Sequence, residues 1–287
     1  MLQLIKFEAK KTLLNRLFVF SMLISLCVAL LSAINNIHLV FSEREYYRQA
    51  EEILGASVNP DYPAYSLYNF WIGEDFGTFL SSLFFFLFPI LSSAPSIWIF
   101  FTEKKSGYIK SICTRTGLGK MYMAKYIVSF LSGGAAIAIP MTVNFIVVAM
   151  FVPAVTPDIY YDTYYTVVLP SMFSSLFYSA PLAYVILRII LAFFFGGCLA
   201  VLGFSLVFCV SRLYIALLLP FLSVLAVHYG ESIIPERLLP GELSPVYIVS
   251  AHGFLYKTLW VAICELASML IISIIIYLLK GKKKDVF

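Results

Sequence analysis

Residues 102–125 read TEKKSGYIKSICTRTGLGKMYMAK, a polar interruption that orients the apolar chain on either side of it. Lys104, Lys105, Lys110, Arg115, Lys120 and Lys125 stand there against a single acid, Glu103. Short loops rich in Lys and Arg stay on the cytoplasmic side of a membrane. Within the loop, Tyr108 to Cys113 reads as a short helix between two Gly-containing turns. Such a basic, partly helical loop offers a surface to a cytoplasmic partner.

The rest of the chain supplies the membrane. Of 287 residues, 61% are hydrophobic and 13% charged, with a mean hydropathy of +0.91. Soluble domains carry about 25% charged residues, so the expected class is an all-α integral membrane protein. Net charge is only +4, and no basic tract with interleaved aromatics occurs away from the membrane edges, which argues against a nucleic-acid partner. Cys27, Cys198, Cys209 and Cys264 fall in apolar spans and Cys113 in the basic loop. They read as small core hydrophobes, and none lies where an extracellular disulfide would form.

Upstream of the loop, 78–101 is an apolar span that Pro89 and Pro95 should bend. Before it, 41–77 is an extracytoplasmic segment whose acids outnumber its bases. It opens with a helix, SEREYYRQAEEIL, that Gly55 ends. Residues 18–40 form the first span, long enough against the roughly 20 apolar residues needed. No Ala-x-Ala-like site follows it, so it reads as an anchor. In 1–16, Leu2, Ile5, Ala9 and Leu13 recur at helical spacing beside Lys6, Lys10 and Lys11. This suits an interfacial helix with its lysines on anionic lipid.

Downstream, spans are expected at about 126–152, 182–210, 213–229 and 258–279. The 153–181 connection carries Asp158 and Asp162, no Lys or Arg, and Tyr160, Tyr161, Tyr164 and Tyr165. Its apolar run 167–177 is expected to dip into the membrane or lie on it. Ser211-Arg212 is a short inner turn, 230–256 is an outer segment, and the tail KGKKKDVF is basic. Every inner segment is then basic and every outer one net acidic. This is satisfied by one domain with six transmembrane helices, both termini inside.

Catalytic signatures are missing: there is no G-x-x-x-x-G-K-[ST], no H-E-x-x-H and no G-x-S-x-G. The chain is read as a non-enzyme whose energy comes from a partner or a gradient. His38, His228 and His252 fall near outer span ends; nothing in their spacing forces them onto one metal, so no metal is assigned. Arg188 and Glu265 lie about seven and eight residues into their spans, a depth of roughly 10–12 Å. Charges at such depth tend to pair or to line a wet cavity. An Arg188–Glu265 ion pair is expected, with Glu265 on a substrate or proton route as the alternative. Gly133-Gly134 and Gly196-Gly197 mark close helix packing.

Together these features resemble the permease subunits of type-2 ABC exporters. Phe7-Glu8-Ala9-Lys10-Lys11 followed by Asn15-Arg16 resembles that family's entry into an amphipathic elbow helix. Glu103 closely following the second span, Gly107 four residues later, and the run Arg115 to Lys125 resemble its coupling loop. The long connection between the third and fourth spans departs from the family pattern. The resemblance implies a second permease chain, identical or homologous, and separate cytoplasmic ATPase subunits that hold the ATP and Mg. It further implies that Ser106 to Cys113 is a coupling helix, with Glu103, Ser106, Gly107, Tyr108, Ile109, Lys110 and Arg115 in ATPase coupling. The implied cargo is amphipathic or hydrophobic: a peptide or bacteriocin, a drug or a lipid-like molecule. A bacterial inner membrane suits the chain. The competing readings are a non-transport scaffold or sensor whose basic loop binds anionic lipid, and a secondary transporter.

Overall fold

The computed structural model describes residues 1–55, 66–75, 77–160, 165–167, 169, 171–250 and 256–281, with only the backbone of Lys110, Cys113 and Glu236. Tyr161, Asp162, Tyr164, His252 and most of the basic tail lie outside these residues.

The described residues are helical, with no strand among them. Helix α1 spans Leu2–Leu13 and α2 spans Arg16–Leu54. Asn15 separates them, its side chain accepting the Leu17 N–H at 2.9 Å as an N-cap. Helix α2 ends where Gly55 turns left-handed at φ 66°. The expected first span and the helix after it are therefore one continuous 39-residue rod. At 1.5 Å per residue it is about 58 Å long, so it projects well beyond a ~30 Å hydrocarbon layer.

A short turn, α3 (Leu67–Phe70), precedes α4 (Phe79–Lys105), which continues through Pro89 and Pro95. Helix α5 (Tyr108–Thr116) is bracketed by Gly107 and Gly117 at φ 75° and 81°, a conformation that disfavours any residue with a Cβ. It is one turn longer than expected. Helix α6 (Leu118–Ala149) starts eight residues before the expected span. Then come α7 (Ser174–Ser179), α8 (Pro181–Leu206), α9 (Leu213–Glu231), α10 (Pro245–Val249) and α11 (Leu259–Ile276), which runs on as a π turn to Gly281.

Helices α2, α4, α6, α8, α9 and α11 are long and apolar enough to cross a bilayer, the character of a multi-pass membrane protein. Helix α8 is the hub and packs on α6, α4, α11 and α9. The α6–α8 seam is the tightest in chemical terms. A Cβ on Gly133 would lie 2.3 Å from the Ala200 Cβ and 2.7 Å from the Gly196 carbonyl, and one on Gly134 would lie 2.6 Å from the Phe193 carbonyl. Glycine is required there because apolar helices in lipid associate through close van der Waals contact. Val167, Met172 and Phe177, from the 167–177 run, pack on the bundle core. Of the described cysteines only Cys198 is buried; Cys27, Cys209 and Cys264 are exposed. The expectation that the cysteines fill the core is thus corrected: Cys27 and Cys264 lie on the outer faces of α2 and α11, and Cys209 lies in the exposed turn after α8.

Candidate functional site

Helix α4 has 27 residues, about 40 Å at 1.5 Å per residue, and a buried polar node sits at each of its ends.

At its C-terminal end α1 crosses α6 and turns Glu8 and Thr12 toward the bundle. Leu2, Phe7, Leu13 and Leu14 face outward. The inward stripe is therefore polar, spaced four residues apart; of the expected apolar face, Leu2 and Leu13 are exposed while Ile5 and Ala9 are half-buried. Lys125 of α6 donates to Glu8 Oε2 at 2.8 Å and to Glu103 Oε2 at 2.5 Å. Glu8, Glu103 and Lys125 are each at most 4% exposed. The other Glu103 oxygen pairs with the half-buried Lys11, whose ammonium also lies 3.8 Å from the centre of the Tyr108 ring. Burial, followed by the Glu8 and Glu103 charges, pushes the Tyr108 hydroxyl above its usual value, with Lys125 opposing. One network thus ties α1, α4, α5 and α6. Glu8 Oε1 and Ser96 Oγ, both beside a small cavity here, have no partner.

Helix α5 rests on this node. Ile109 is buried against Phe100, Met121, Tyr122, Phe204 and Phe208, with Ile112 beside it. Ser111, Thr114 and Arg115 are exposed, as are Lys105 and Ser106 before them. The residues singled out from the sequence therefore divide. Ser106 and Arg115 are accessible. Gly107 makes the left-handed turn, Ile109 is an anchor, Tyr108 is a cation–π seat, and Glu103 is a buried ion-pair partner. Lys110 lies within α5.

At the N-terminal end of α4, Arg188 of α8 does not pair with Glu265. Its Nε donates to Glu74 Oε1 at 2.9 Å, and its other nitrogens donate to the carbonyls of Ile248, Val249 and Ser250 at 2.7–3.0 Å. The guanidinium closes off the C-terminal carbonyls of α10, where a cation is favoured. Glu74 also accepts the Tyr184 hydroxyl at 2.6 Å and the Thr166 hydroxyl at 2.9 Å. Its neighbour Asp75 takes Asn36, Thr78, Ser81 and the Gly77 N–H, closing the entry to α4. Lys257 donates to the Ser250 carbonyl. Burial, then the Arg188 charge, brings its ammonium down to about 7, with Glu74 and Glu242 opposing.

The expected Arg188–Glu265 pair fails because equal depth is not facing position. Helix α11 meets α8 along Val261, Ala262, Met269 and Ser273. Glu265 lies on the flank of that stripe, with its Oε2 buried and unpartnered. His228 bonds Ser244 at 2.8 Å and packs at a tilt against the Tyr247 ring. Among the described residues no group of three His, Cys, Asp or Glu side chains is placed to hold a metal.

Comparison of the chain with protein-family models, with curated proteins and with solved structures finds no match. The functional reading therefore rests on these two nodes and on α5.

Sequence reasoning missed Glu74 and the Glu8–Lys125 pair. One signal was present: two acids, Glu74-Asp75, immediately before an apolar span, where a helix N-terminus and a deep arginine both favour them.

Proposed function

We propose that the chain is the membrane-spanning permease subunit of an ATP-driven exporter of the type-2 ABC kind. In this reading it pairs with a second permease chain and takes separate cytoplasmic ATPase subunits at α5. The observation that carries the proposal is the mounting of α5. A nine-residue helix is set between two left-handed glycines. It is pinned inward by Ile109 and presents Ser111, Thr114 and Arg115 outward. It is linked through Tyr108, Lys11, Glu103, Lys125 and Glu8 to three other helices. A push on its outer face is delivered to α1, α4 and α6 together, as transmission from an ATPase requires.

Charge placement supports the orientation. Lys104, Lys105, Arg115, Lys120, Arg212 and Lys280 are at the α5 end, while Glu74, Asp75, Glu231 and Glu242 are at the other. The π turn at Gly281 packs beside Phe208 at the α5 end, so both ends of the described chain meet there. This accords with inner-face retention of basic residues. In this assignment α1 is the elbow helix and α5 the coupling helix. Helices α9 and α11 are only 17% buried over their apolar windows, which leaves apolar surface for lipid and for a second permease chain. Cargo that is amphipathic or hydrophobic fits spans lined by Phe and Tyr, and the membrane is that of the cell envelope.

The test is recovery of partners from native membranes in mild detergent, with Thr114→Trp and Arg115→Glu introduced together on the exposed face of α5. Wild-type chain should bring down a P-loop ATPase, and the double variant should insert normally but lose it. Wild-type chain that inserts without any ATPase, under conditions that hold a known exporter together, would sink the reading.

A further inference from the structure

Where α4 ends beside the turn from α8 to α9, the surface is hollowed into a groove of about 520 Å3. Phe101, Lys104, Lys105, Cys209, Val210 and Ser211 line it. All belong to the ends of apolar spans. Lys104 and Lys105 are the last two residues of α4, Phe101 is one turn deeper, and Cys209 to Ser211 bridge α8 and α9. The groove therefore straddles the level where hydrocarbon gives way to headgroups.

Its chemistry is one-sided. No acid lines it. Glu103, next to Lys104 in the chain, is turned away into the Lys125–Lys11 network. Lys104 is steadied by a 3.0 Å bond from its ammonium to the Val207 carbonyl, while Lys105 and Ser211 are exposed. Arg212 stands just beyond, exposed and bonded to the Tyr214 hydroxyl at 2.7 Å. Two ammoniums and a hydroxyl thus surround a space whose deeper wall is Phe101 and Val210.

We propose that this groove binds the phosphate of an anionic phospholipid, with an acyl chain lying along Phe101 and Val210. Basic pockets between span ends are suited to anionic headgroups. A free phosphate would meet the lysines but leave the apolar wall wet. An acidic protein segment would meet the lysines but supply no acyl chain for that wall. The proposal uses only the span ends and does not depend on the exporter reading.

Cys209 supplies the readout, since its thiol is exposed within the groove. The purified chain is placed in nanodiscs of phosphatidylcholine alone, or of equal parts phosphatidylcholine and phosphatidylglycerol. Alkylation of each cysteine by N-ethylmaleimide is then followed by peptide mass spectrometry. Each lysine near an anionic lipid surface contributes about fivefold in affinity, so phosphatidylglycerol should slow Cys209 at least about fivefold. Cys27 and Cys264, on the outer surfaces of the spans α2 and α11, should stay unreactive in both bilayers. Lys104→Gln with Lys105→Gln should restore the Cys209 rate in the same bilayer. Inorganic phosphate added to phosphatidylcholine discs should not protect. Equal Cys209 rates in the two bilayers, protection that survives the lysine changes, equal protection by inorganic phosphate, or protection seen only with a bound protein would each overturn the proposal.

Discussion

The two ends of α4 solve the same problem, a charge inside an apolar bundle, in opposite ways. At the Arg188 end the guanidinium makes four bonds, to one carboxylate and three carbonyls, and Glu74 takes two hydroxyls besides. At the Lys125 end one ammonium is shared by two carboxylates, the outer lysine is half exposed, and Glu8 Oε1 has no donor. A satisfied network in a low dielectric is rigid, and a partly satisfied one has room to rearrange. The first end is a clamp joining α8 to α10 and the approach to α4. The second is a looser joint at which α1, α4, α5 and α6 meet. The difference between them is what a transmitted motion needs: one end held while the other moves.

The largest effect should come from breaking the clamp. Arg188→Met strands the Glu74 carboxylate and three carbonyls in a site where Arg188 and Glu74 are at most 2% exposed. Breaking a buried pair on one side costs about 3–5 kcal/mol. A large fall in Tm in detergent is expected, with part of it recovered when Glu74→Gln is added. An unchanged Tm for Arg188→Met would make the two ends alike and end the comparison.

The joint should be softer. Lys125→Met leaves Glu8 and Glu103 facing each other, but Lys11 already reaches Glu103 and is partly in solvent. The cost should be about 3 kcal/mol, the low end for a broken buried pair because Lys11 still holds Glu103, and its signature should be local. Amide exchange over Leu2–Leu13 should speed while that of α8 stays as in the wild type. Exchange that rises equally in α8 would mean that the Lys125 node holds the whole bundle and is no joint.

The six spans, the glycine seam and the start of α5 were legible because each depends on local pattern. Apolar length sets a span, small residues set a close approach, and a glycine on each side sets a short helix. Both nodes were hidden because their partners are far apart in the chain. Glu8 and Lys125 are separated by 117 residues and Glu74 and Arg188 by 114. An acid in a polar stretch reads as solvated, and only the fold-back of 66–75 and of α1 buries Glu74 and Glu8. The error over Arg188 and Glu265 has the same root: depth along two helices can be counted from sequence, but rotation about their axes is set by which stripe meets the hub. The continuity of α2 was missed because the apolar span to Val40 and the charged helix after it differ so sharply in composition that they read as two elements, although Arg48 bonds Glu45 and Glu52 at helical spacing and supports one rod.

The smallest effect tests whether the clamp is closed to protons as well as to motion. Lys257 shares the Ser250 carbonyl with Arg188, and its ammonium is held down to about 7 by burial first and the guanidinium second. Folding therefore favours the neutral amine. Between pH 7 and the ordinary lysine value the unfolded chain binds more protons than the folded one, so stability rises with pH through that window. Below pH 7 both states are protonated and the cost is constant. Because Lys257 is partly exposed, the gain between pH 7 and 9 should be only about 1 kcal/mol. A Tm that climbs over this range in the wild type and is flat in Lys257→Met would place the titration at this amine. A flat wild-type profile would mean that Glu74 and Glu242 hold Lys257 charged. The clamp would then tolerate a second cation beside Arg188, and its rigidity would rest on the carbonyls of α10 more than on the single carboxylate.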